Sequence, residues 1–258
     1  MTNTLLGIPL QKTSKKEVLE KIEKYIESQA QNSKLKTQNS QKYLHVVSLN
    51  PENVVIAQGD PKFKKIVQSA QITINDGVGI KIAARILGIS GMNRTPGVDL
   101  AEELVKLADK ESLKVMLIGG KSNLALRLSQ CYSQKYPKLR LIGFEGIKDI
   151  SKTKKRENEQ IFSIVRQHRP HLILAAFGSP FQEKWFEANS SKLSGIVCMG
   201  VGGGFDFLAG RVPRAPLWVR NSGLEWLFRL FVEPWRWRRQ LRLVKFVGLV
   251  IRQKLNLL

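Results

Sequence analysis

The chain has 258 residues, of which 43% are hydrophobic, so it can bury one substantial core and carry a smaller appendage. Its 42 Lys and Arg exceed its 21 Asp and Glu, and the net charge of +21 predicts an anionic partner: nucleic acid, a phosphorylated substrate or an acidic lipid surface. Two cysteines, Cys131 and Cys198, exclude a disulfide framework or a zinc site and favour a reducing cytoplasm; the sequence predicts neither a signal peptide nor a membrane-spanning helix.

The N-terminal part predicts short strands separated by helices. Residues 5–10 are an apolar segment compatible with a strand, and Ser14 with Glu17 forms a capping box for the helix that follows. Residues 29–42 are mostly Gln, Asn, Ser and Lys, so they are predicted to be a loop. A strand is predicted over 43–49, and a helix begins at Asn50-Pro51-Glu52. That helix breaks at Gly59-Asp60-Pro61, and a second helix runs to Ala70. A strand over 72–74, a helix through Leu87 and a helix from the 94–99 loop to about Lys110 follow.

The middle of the chain alternates strand and helix. Its predicted strands cover 114–118, 139–144, 171–177 and 196–199. Its predicted helices cover 122–135 and 152–168, and Gly178-Ser179-Pro180 opens a further helix through Asn189. Such alternation, with strands that are almost continuously apolar, predicts an α/β fold: a mostly parallel sheet covered by helices on both faces. We expect this domain to occupy residues 1–207.

The composition changes from about residue 208. After Phe205 the chain has eleven Lys or Arg, three acidic residues and four of its five Trp. An almost wholly apolar helix is predicted over 222–232, and a helix that mixes aliphatic and basic residues over 241–255. Nucleic-acid binding, packing as a C-terminal hairpin and docking at a bilayer surface are all open, but the aliphatic content favours the bilayer. We therefore expect residues 208–258 to form a basic, aromatic, helical membrane appendage.

The clearest site signal lies in residues 73–80. A β-branched run ends at Asn75 and Asp76, and Gly77 and Gly79 then open a helix. Ligands of open α/β sheets bind outside the carboxyl ends of strands, so Asp76 stands where a catalytic carboxylate would lie. The two glycines would let a ligand approach the backbone. An Asx turn or a helix cap is the alternative interpretation of Asp76.

Two polar residues and one arginine accompany Asp76. Ser48 and Asn50 lie at the end of the strand over 43–49, and Arg94 lies in a loop. If adjacent strands carry these residues, their ends converge on one crevice, where a guanidinium could hold a phosphate bidentately. Each residue alone is as compatible with a helix cap or a solvated charge.

Glycines mark two further strand ends. Gly119 and Gly120 follow a strand and precede a helix, a position that suits either a phosphate or a tight turn. The run Gly200–Gly204 suggests a ligand that lies against bare backbone, because ordering so many glycines is costly. No Asp-x-Asp occurs and the three histidines lack metal-ligand spacing, so we predict no metal and no cofactor.

Several stretches, in order along almost the whole chain, resemble the TagA/WecG/CpsF family of glycosyltransferases, which build bacterial cell-surface polymers. The matching stretches are 47–52, 75–79, 94–100, 177–185, 200–206, 214–216 and 223–226. The resemblance implies a Rossmann-like fold without an Asp-x-Asp metal site. It also implies an inverting transferase that moves a sugar, commonly N-acetylmannosamine, from a UDP-sugar to an undecaprenyl-diphosphate-linked sugar such as N-acetylglucosamine.

The resemblance also implies roles for individual residues. Asp76 matches the family's proposed general base, and Ser48 stands where the family usually has a threonine, so a hydroxyl remains. With Asn50 these form the expected catalytic set. The expected substrate-binding residues are Arg94, Gly119, Gly120, Gly146, Gln182, Gly202, Gly203, Asp206, Arg214 and Arg220.

The expected partners are a UDP-sugar donor, a lipid-linked diphosphate sugar acceptor and an anionic membrane surface on the inner face of the bacterial plasma membrane. Nucleic acid is not expected, and a homo-oligomer stays open. Two other classes compete with this interpretation. One is an NAD-type oxidoreductase with its pyrophosphate on Gly119 and Gly120, although the third glycine of that motif is missing. The other is a non-enzymatic nucleic-acid-binding protein, which rests on the net charge of +21.

Overall fold

A six-stranded parallel sheet forms the centre of the molecule. The computed structural model describes residues 3–35, 42–120 and 122–257. The strands within them are Thr4–Leu5 (β1), Ile8–Pro9 (β2), Leu44–Leu49 (β3), Ile72–Asn75 (β4), Lys114–Gly119 (β5), Arg140–Phe144 (β6), Leu172–Ala176 (β7) and Val197–Gly200 (β8). β1 and β2 pair with each other, and the main sheet has the order β4-β3-β8-β7-β5-β6 with every neighbour parallel. The predicted α/β class is confirmed.

Helices connect the strands. Within the described residues they are Lys15–Leu35 (α1), Pro51–Gly59 (α2), Pro61–Ser69 (α3), Val78–Ile86 (α4), Gly97–Lys110 (α5), Leu124–Lys135 (α6), Lys155–His168 (α7), Phe181–Ala188 (α8), Gly204–Leu208 (α9), Leu217–Asn221 (α10), Glu225–Val232 (α11) and Trp237–Lys254 (α12). Short 3-10 turns at Ile150–Lys152, Ser190–Lys192 and Pro234–Arg236 complete the path.

Both faces of the sheet are covered, because each central strand sends alternate side chains to opposite sides. On β5, Val115 and Leu117 join the core beneath α1, α5 and α6, whereas Met116 and Ile118 join the core beneath α7 and α8. A third cluster packs α2, α3, α4 and α12 against the part of the sheet formed by β3. This two-sided burial explains the near-continuous apolar strands of the sequence.

The topology gathers three strand ends at one place. β3 lies between β4 and β8, and the chain leaves β4 to build β5 and β6 on the far side of β7 before it returns to β8. Ser48 is level with Ile74 across the β3–β4 pair, so Asp76, just past β4, lies beside the end of β3. Crevices at such reversals of strand order are the usual ligand sites of open α/β sheets.

Local signals located most helix starts correctly. The Ser14 amide donates to Glu17 Oε2 at 2.6 Å and the Glu17 amide donates to Ser14 Oγ at 3.3 Å, which is the predicted capping box. Two predictions were wrong. Residues 5–10 form a hairpin of two-residue strands rather than one strand. α1 continues to Leu35, because Gln, Ala, Lys and Leu sustain a helix well; residues 36–41 of the predicted loop lie outside the described residues.

The C-terminal helices are packed on the sheet domain. The apolar helix predicted over 222–232 is α11, with the separate α10 before it, and α12 begins four residues earlier than predicted, at Trp237. Phe246 and Val250 of α12 are buried in the same cluster as Ile80 of α4. The Gln253 side chain accepts from the Leu6 amide at 2.8 Å. In the part of the chain that the structure describes, no helix combines the length and the apolar character that crossing a membrane requires.

Candidate active site

A hydrogen-bonded pair, Ser48 and Asp76, lies at the ends of β3 and β4. Ser48 Oγ donates to Asp76 Oδ2 at 2.9 Å. The Asp76 amide donates to the Leu49 carbonyl oxygen at 2.8 Å, which ties the end of β4 to the end of β3. The expectation that adjacent strands bring these two residues together is therefore met by the sheet order. Asp76 is held by backbone on one side and by a hydroxyl on the other.

The environment of Asp76 favours its neutral form more than water does. Burial raises the pKa of the Asp76 carboxyl, and hydrogen bonds from Ser48 and from the Gly97 amide offset only part of that rise. The negative charge of Glu225 acts in the same direction as burial, while Arg94 acts against it. A carboxylate with a raised pKa is a stronger base, so its ionised form is suited to accept a proton from a hydroxyl.

Gly97 closes the far side of the pair. It is the first residue of α5, and its amide points at the Asp76 carboxylate, where the positive end of the helix dipole stabilises negative charge. A methyl group on Gly97 would lie 3.1 Å from Ser48 Oγ and 3.4 Å from Asp76 Oδ2. Glycine at this position therefore leaves room for the hydrogen-bonded pair.

A polar cavity of about 430 Å³ opens beside the pair, between the ends of β3, β7 and β8 and the C-terminal helices. Several expected site residues line it together: Ser48, Asn50, Asp76, Gln182, Gly202 and Gly203. The Asn50 side chain also accepts from the Asn53 amide at 2.9 Å, so it caps α2 in addition to lining the cavity. Asn50 therefore both caps a helix and lines the candidate site.

Four arginines of the C-terminal helices form the opposite wall of the polar cavity: Arg229, Arg236, Arg239 and Arg242. Glu233 accepts from Arg229 Nε and Arg236 Nε, each at 2.7 Å, and Glu52 pairs with both Arg239 and Arg242. Burial opposes ionisation of Glu233, but the hydrogen bonds and the positive charges of its two arginines together outweigh burial and lower its pKa. Because two carboxylates serve four guanidinium groups, each with five N–H donors, the wall keeps donors for an anion.

The sequence predicts that basic residues of the tail, within 211–245, meet the acceptor's diphosphate, but of these only Arg214 and Arg220 stand in the expected substrate-binding set, and neither belongs to this wall. One signal was available: Arg236, Arg239 and Arg242 recur every third residue, so a helix would turn them toward one side. Which side they face depends on the contact between α12 and α2, and the sequence pattern does not contain that contact.

Arg94 and Arg214 belong to a neighbouring ion-pair network. Arg94 Nη1 donates to the Arg220 carbonyl oxygen at 2.7 Å, and its Nη2 lies 3.6 Å from Glu225 Oε2. Arg214 bridges Glu225 and Asp99. These contacts attach the loop before α5 to the start of α11, so both arginines already hold the tail onto the sheet domain.

An apolar cavity of about 500 Å³ adjoins the polar one. It lies between α4 and α12, and Arg94 and Arg214 line its margin. We call the residues that line both cavities the junction: Asn50, Glu52, Asp76, Val98, Arg229, Arg236 and Arg239. Asp76 and three arginines are therefore shared between a polar and an apolar space.

Two glycines near the site have packing roles that the sequence did not predict. A Cβ on Gly79 would lie 2.6 Å from the Pro51 ring, so this glycine lets α4 approach α2. A Cβ on Gly200 would lie 2.2 Å from Gln182 Nε2, so β8 needs glycine there to admit the buried Gln182 side chain. In each case a protein side chain, rather than a ligand, occupies the space beside the bare backbone.

Other expected site residues lie outside both cavities: Gly119, Gly120, Gly146, Asp206 and Arg220. Gly119 ends β5, Gly120 follows it and Gly146 follows β6, all on the far side of β7 from the Ser48–Asp76 pair. A Cβ at Gly119 would lie 2.9 Å from the Phe177 ring. Asp206 Oδ1 lies 3.6 Å from Arg211 Nη1. The structure does not bring these five into contact with the Ser48–Asp76 pair.

The described residues outside the two cavities offer no sign of a metal site. His45, on β3, is almost fully buried, and burial lowers its pKa to about 3. Within residues 3–35, 42–120 and 122–257, no group of three or more His, Cys, Asp and Glu side chains is arranged to hold a metal ion. Chemistry without a metal stays a prediction.

Comparisons with known proteins found a family and several named relatives. A model of the Glycosyl transferase WecG/TagA/CpsF family matches residues 3–258. A Bacillus subtilis (strain 168) protein named N-acetylglucosaminyldiphosphoundecaprenol N-acetyl-beta-D-mannosaminyltransferase is 28% identical over 213 residues, which cover 82% of this chain and 80% of that protein. A Staphylococcus aureus (strain NCTC 8325 / PS 47) protein of the same name is 27% identical over 235 residues, which cover 91% of this chain and 85% of that protein. Neither match supports an oxidoreductase or a nucleic-acid-binding protein.

Proposed function

The chain belongs to the WecG/TagA/CpsF family of glycosyl transferases, and from that premise we propose that it moves N-acetylmannosamine from a UDP-sugar onto undecaprenyl-diphosphate-linked N-acetylglucosamine. The observation that carries the proposal is the Ser48–Asp76 pair at the junction of two cavities, opposite a wall of arginines. A base beside a cationic wall suits transfer to a hydroxyl between diphosphate-bearing substrates.

In the proposed reaction Asp76 removes the proton from an acceptor hydroxyl as its oxygen attacks the anomeric carbon of the donor sugar. The bond between that carbon and the UDP oxygen breaks on the opposite face, so the configuration inverts. The proton ends on Asp76 and the electron pair on UDP. Ser48 and the Gly97 amide hold the carboxylate in position by hydrogen bonds. A positioned base of this kind contributes about 10²–10⁴-fold to the rate.

Negative charge on the diphosphates is met by the arginine wall and by backbone amides. Gly202 and Gly203 line the cavity beside Arg229 and Arg236, so their amides and the guanidinium groups can act on the same anion. Arg94, which the sequence suggested for this role, does not line the polar cavity and instead contacts the Arg220 carbonyl oxygen and Glu225. We therefore assign diphosphate binding to the wall and stabilisation of the tail to Arg94.

We further propose that residues 208–258 dock this site on the inner face of the bacterial plasma membrane. Trp218, Phe231 and Trp235 are 71%, 76% and 69% exposed, an unusual fate for large aromatic side chains. Aromatic residues prefer the headgroup zone, and each basic residue near an anionic leaflet adds about 1 kcal/mol of attraction. The prenyl chain of the acceptor anchors it in the bilayer, so the site has to reach that surface.

Transfer is tested by incubating the full chain with UDP-N-acetylmannosamine and undecaprenyl-diphosphate-N-acetylglucosamine. Mass spectrometry should detect the acceptor with one added N-acetylhexosamine, and NMR should detect inversion at the anomeric carbon. UDP-glucose and UDP-N-acetylglucosamine serve as donor controls. If none of these donors gives a product, the proposed function is wrong; if another donor is preferred, only the donor sugar is wrong.

Membrane docking is tested by cosedimentation with liposomes that contain phosphatidylglycerol. The triple variant Trp218→Ser, Phe231→Ser, Trp235→Ser should lose at least about tenfold in liposome affinity, since three large apolar side chains leave the interface. Leu126→Ser, on α6, is the matched control, because Leu126 is also exposed but lies on another helix. Equal binding of both variants would refute docking through this surface. A concentration-dependent dimer that the triple variant abolishes would assign the surface to a second copy.

A further inference from the structure

Aliphatic side chains of α4 and α12 form much of the lining of the apolar cavity, which also includes Arg94, Arg214, Glu225 and Gln240. α4 contributes Ile82 and Ile86 and α12 contributes Val247 and Val250, while Phe246 lies at the buried side. Ile82 is 51% exposed and Val247 is 48% exposed, so the mouth of the cavity lies between these two helices. Aliphatic side chains offer no hydrogen bonds, and a sugar or a nucleotide would lose those it makes with water.

The size and position of this cavity distinguish it from a packing gap. Protein interiors are close-packed, and voids much larger than a water molecule are rare. A space of about 500 Å³ falls in the range of ligand sites. The apolar cavity meets the polar cavity at the junction, where Asp76, Arg229, Arg236 and Arg239 line both spaces. One continuous path thus runs from a polar space, past a base and three guanidinium groups, into an aliphatic space.

We propose that the apolar cavity binds the first isoprene units of the acceptor's prenyl chain. This inference rests on the proposed function, since it names where one part of that acceptor lies. A lipid-linked diphosphate sugar presents its groups in the same order as the path: a sugar hydroxyl for Asp76, a diphosphate for the arginines at the junction, and then a run of apolar, methyl-branched isoprene units. The groove between α4 and α12 leads the remaining chain outward, past Ile82 and Val247.

The polar side chains of the tail constrain the direction of the chain. Arg239 and Arg242 lie on the side of α12 that pairs with Glu52, and Val247 lies further along the same helix. A chain whose diphosphate is held at Arg239 therefore meets aliphatic side chains in the C-terminal direction of α12. The site then selects a prenyl carrier directly, in addition to any attraction between the tail and the bilayer.

The test compares two acceptors in nonionic detergent micelles without anionic lipid. One is N-acetylglucosaminyl diphosphate on an undecaprenyl chain and the other is the same headgroup on a butyl chain. The wild type should have a higher kcat/KM for the undecaprenyl acceptor. Val247→Asn and Ile82→Asn, each at a half-exposed wall position, should lower the ratio of the two kcat/KM values by about tenfold.

Val244→Asn is the matched control. Val244 is one turn before Val247 on α12, is 72% exposed and does not line the cavity, and its substitution removes the same apolar group from the tail. It should keep the wild-type ratio. Equal kcat/KM for both acceptors in the wild type, or an equal loss of the ratio in Val244→Asn and Val247→Asn, overturns the inference and leaves the proposed function intact. Transfer to neither acceptor overturns both.

Discussion

The two walls of the candidate site are built in different ways. On the sheet side, Ser48, Asp76 and Gly97 are held by strand pairing and backbone hydrogen bonds. On the tail side, the arginines of α11, α12 and the turn between them are held by ion pairs with Glu52 and Glu233. The sheet side has one carboxylate, which strand pairing and hydrogen bonds hold in place. The tail side has many charged side chains, and its helices also carry exposed aromatic residues. We therefore propose that the sheet side carries the chemistry and that the tail captures the substrate.

The largest effect should come from the sheet side. Asp76→Asn should lower kcat by about 10²–10⁴-fold, because the variant has no general base. Thermal unfolding at pH 8 should occur at or above the wild-type temperature, since burial penalises the ionised carboxylate and the neutral amide escapes that cost. Asp149→Asn, at an exposed 3-10 turn, is the control and should keep its turnover. Asp76→Asn turnover within threefold of the wild type would remove Asp76 from the mechanism.

The next effect should come from the tail side and fall on acceptor KM rather than on kcat. Arg239→Gln should raise the KM for a lipid-linked diphosphate acceptor by roughly 10- to 100-fold, the cost of one lost hydrogen bond to a charged group. Arg238→Gln is the matched control, since Arg238 lies over the Trp237 ring and outside both cavities. An unchanged KM in Arg239→Gln, or a similar rise in both variants, would contradict the role of the wall in capture.

A smaller effect on the sheet side concerns pH. The base must be ionised, so kcat/KM should rise with pH through the pKa of Asp76, which lies above the ordinary aspartate value. The Ser48 hydroxyl stabilises the ionised carboxylate, so its loss raises that pKa further. Ser48→Ala should therefore move the acid limb of the pH–rate profile to higher pH, with less than about a tenfold loss at the alkaline plateau. A limb that stays in place, or moves to lower pH, would exclude this hydrogen bond from tuning the base.

The smallest effect expected is that of metal removal. If guanidinium groups and glycine amides meet the diphosphate charge, EDTA should change turnover by less than about twofold, and UDP should raise the melting temperature without added Mg²⁺ or Mn²⁺. Turnover and melting temperature are measured on EDTA-treated protein while Mg²⁺ or Mn²⁺ is added stepwise. An obligatory divalent requirement would transfer the role of the arginine wall to a bound ion.

Much of the fold could be predicted because it is encoded locally. The apolar strands, the helix start at Asn50-Pro51 and the Ser14–Glu17 capping box are properties of neighbouring residues, and each lies where predicted. The convergence of Ser48 and Asp76 followed from one further assumption, that consecutive strands pair. The raised pKa of Asp76 followed from none of these, since it depends on what buries the carboxyl.

By itself the sequence determined the α/β class, the strand ends that carry Ser48 and Asp76 and the basic, aromatic character of the tail. Only the tertiary structure decided where the tail lies. Glu52 forms ion pairs with Arg239 and Arg242, which lie about three quarters of the chain length away in sequence. A Cβ on Gly79 would clash with the Pro51 ring, so the packing of α4 against α2 requires glycine there. Local periodicity specifies which residues share a face of a helix, but the partner of that face is selected by the packing of the whole core, where Phe246 and Val250 join Ile80. In that packing the arginines of the wall line the same cavity as Asp76, and the apolar cavity lies between α4 and α12.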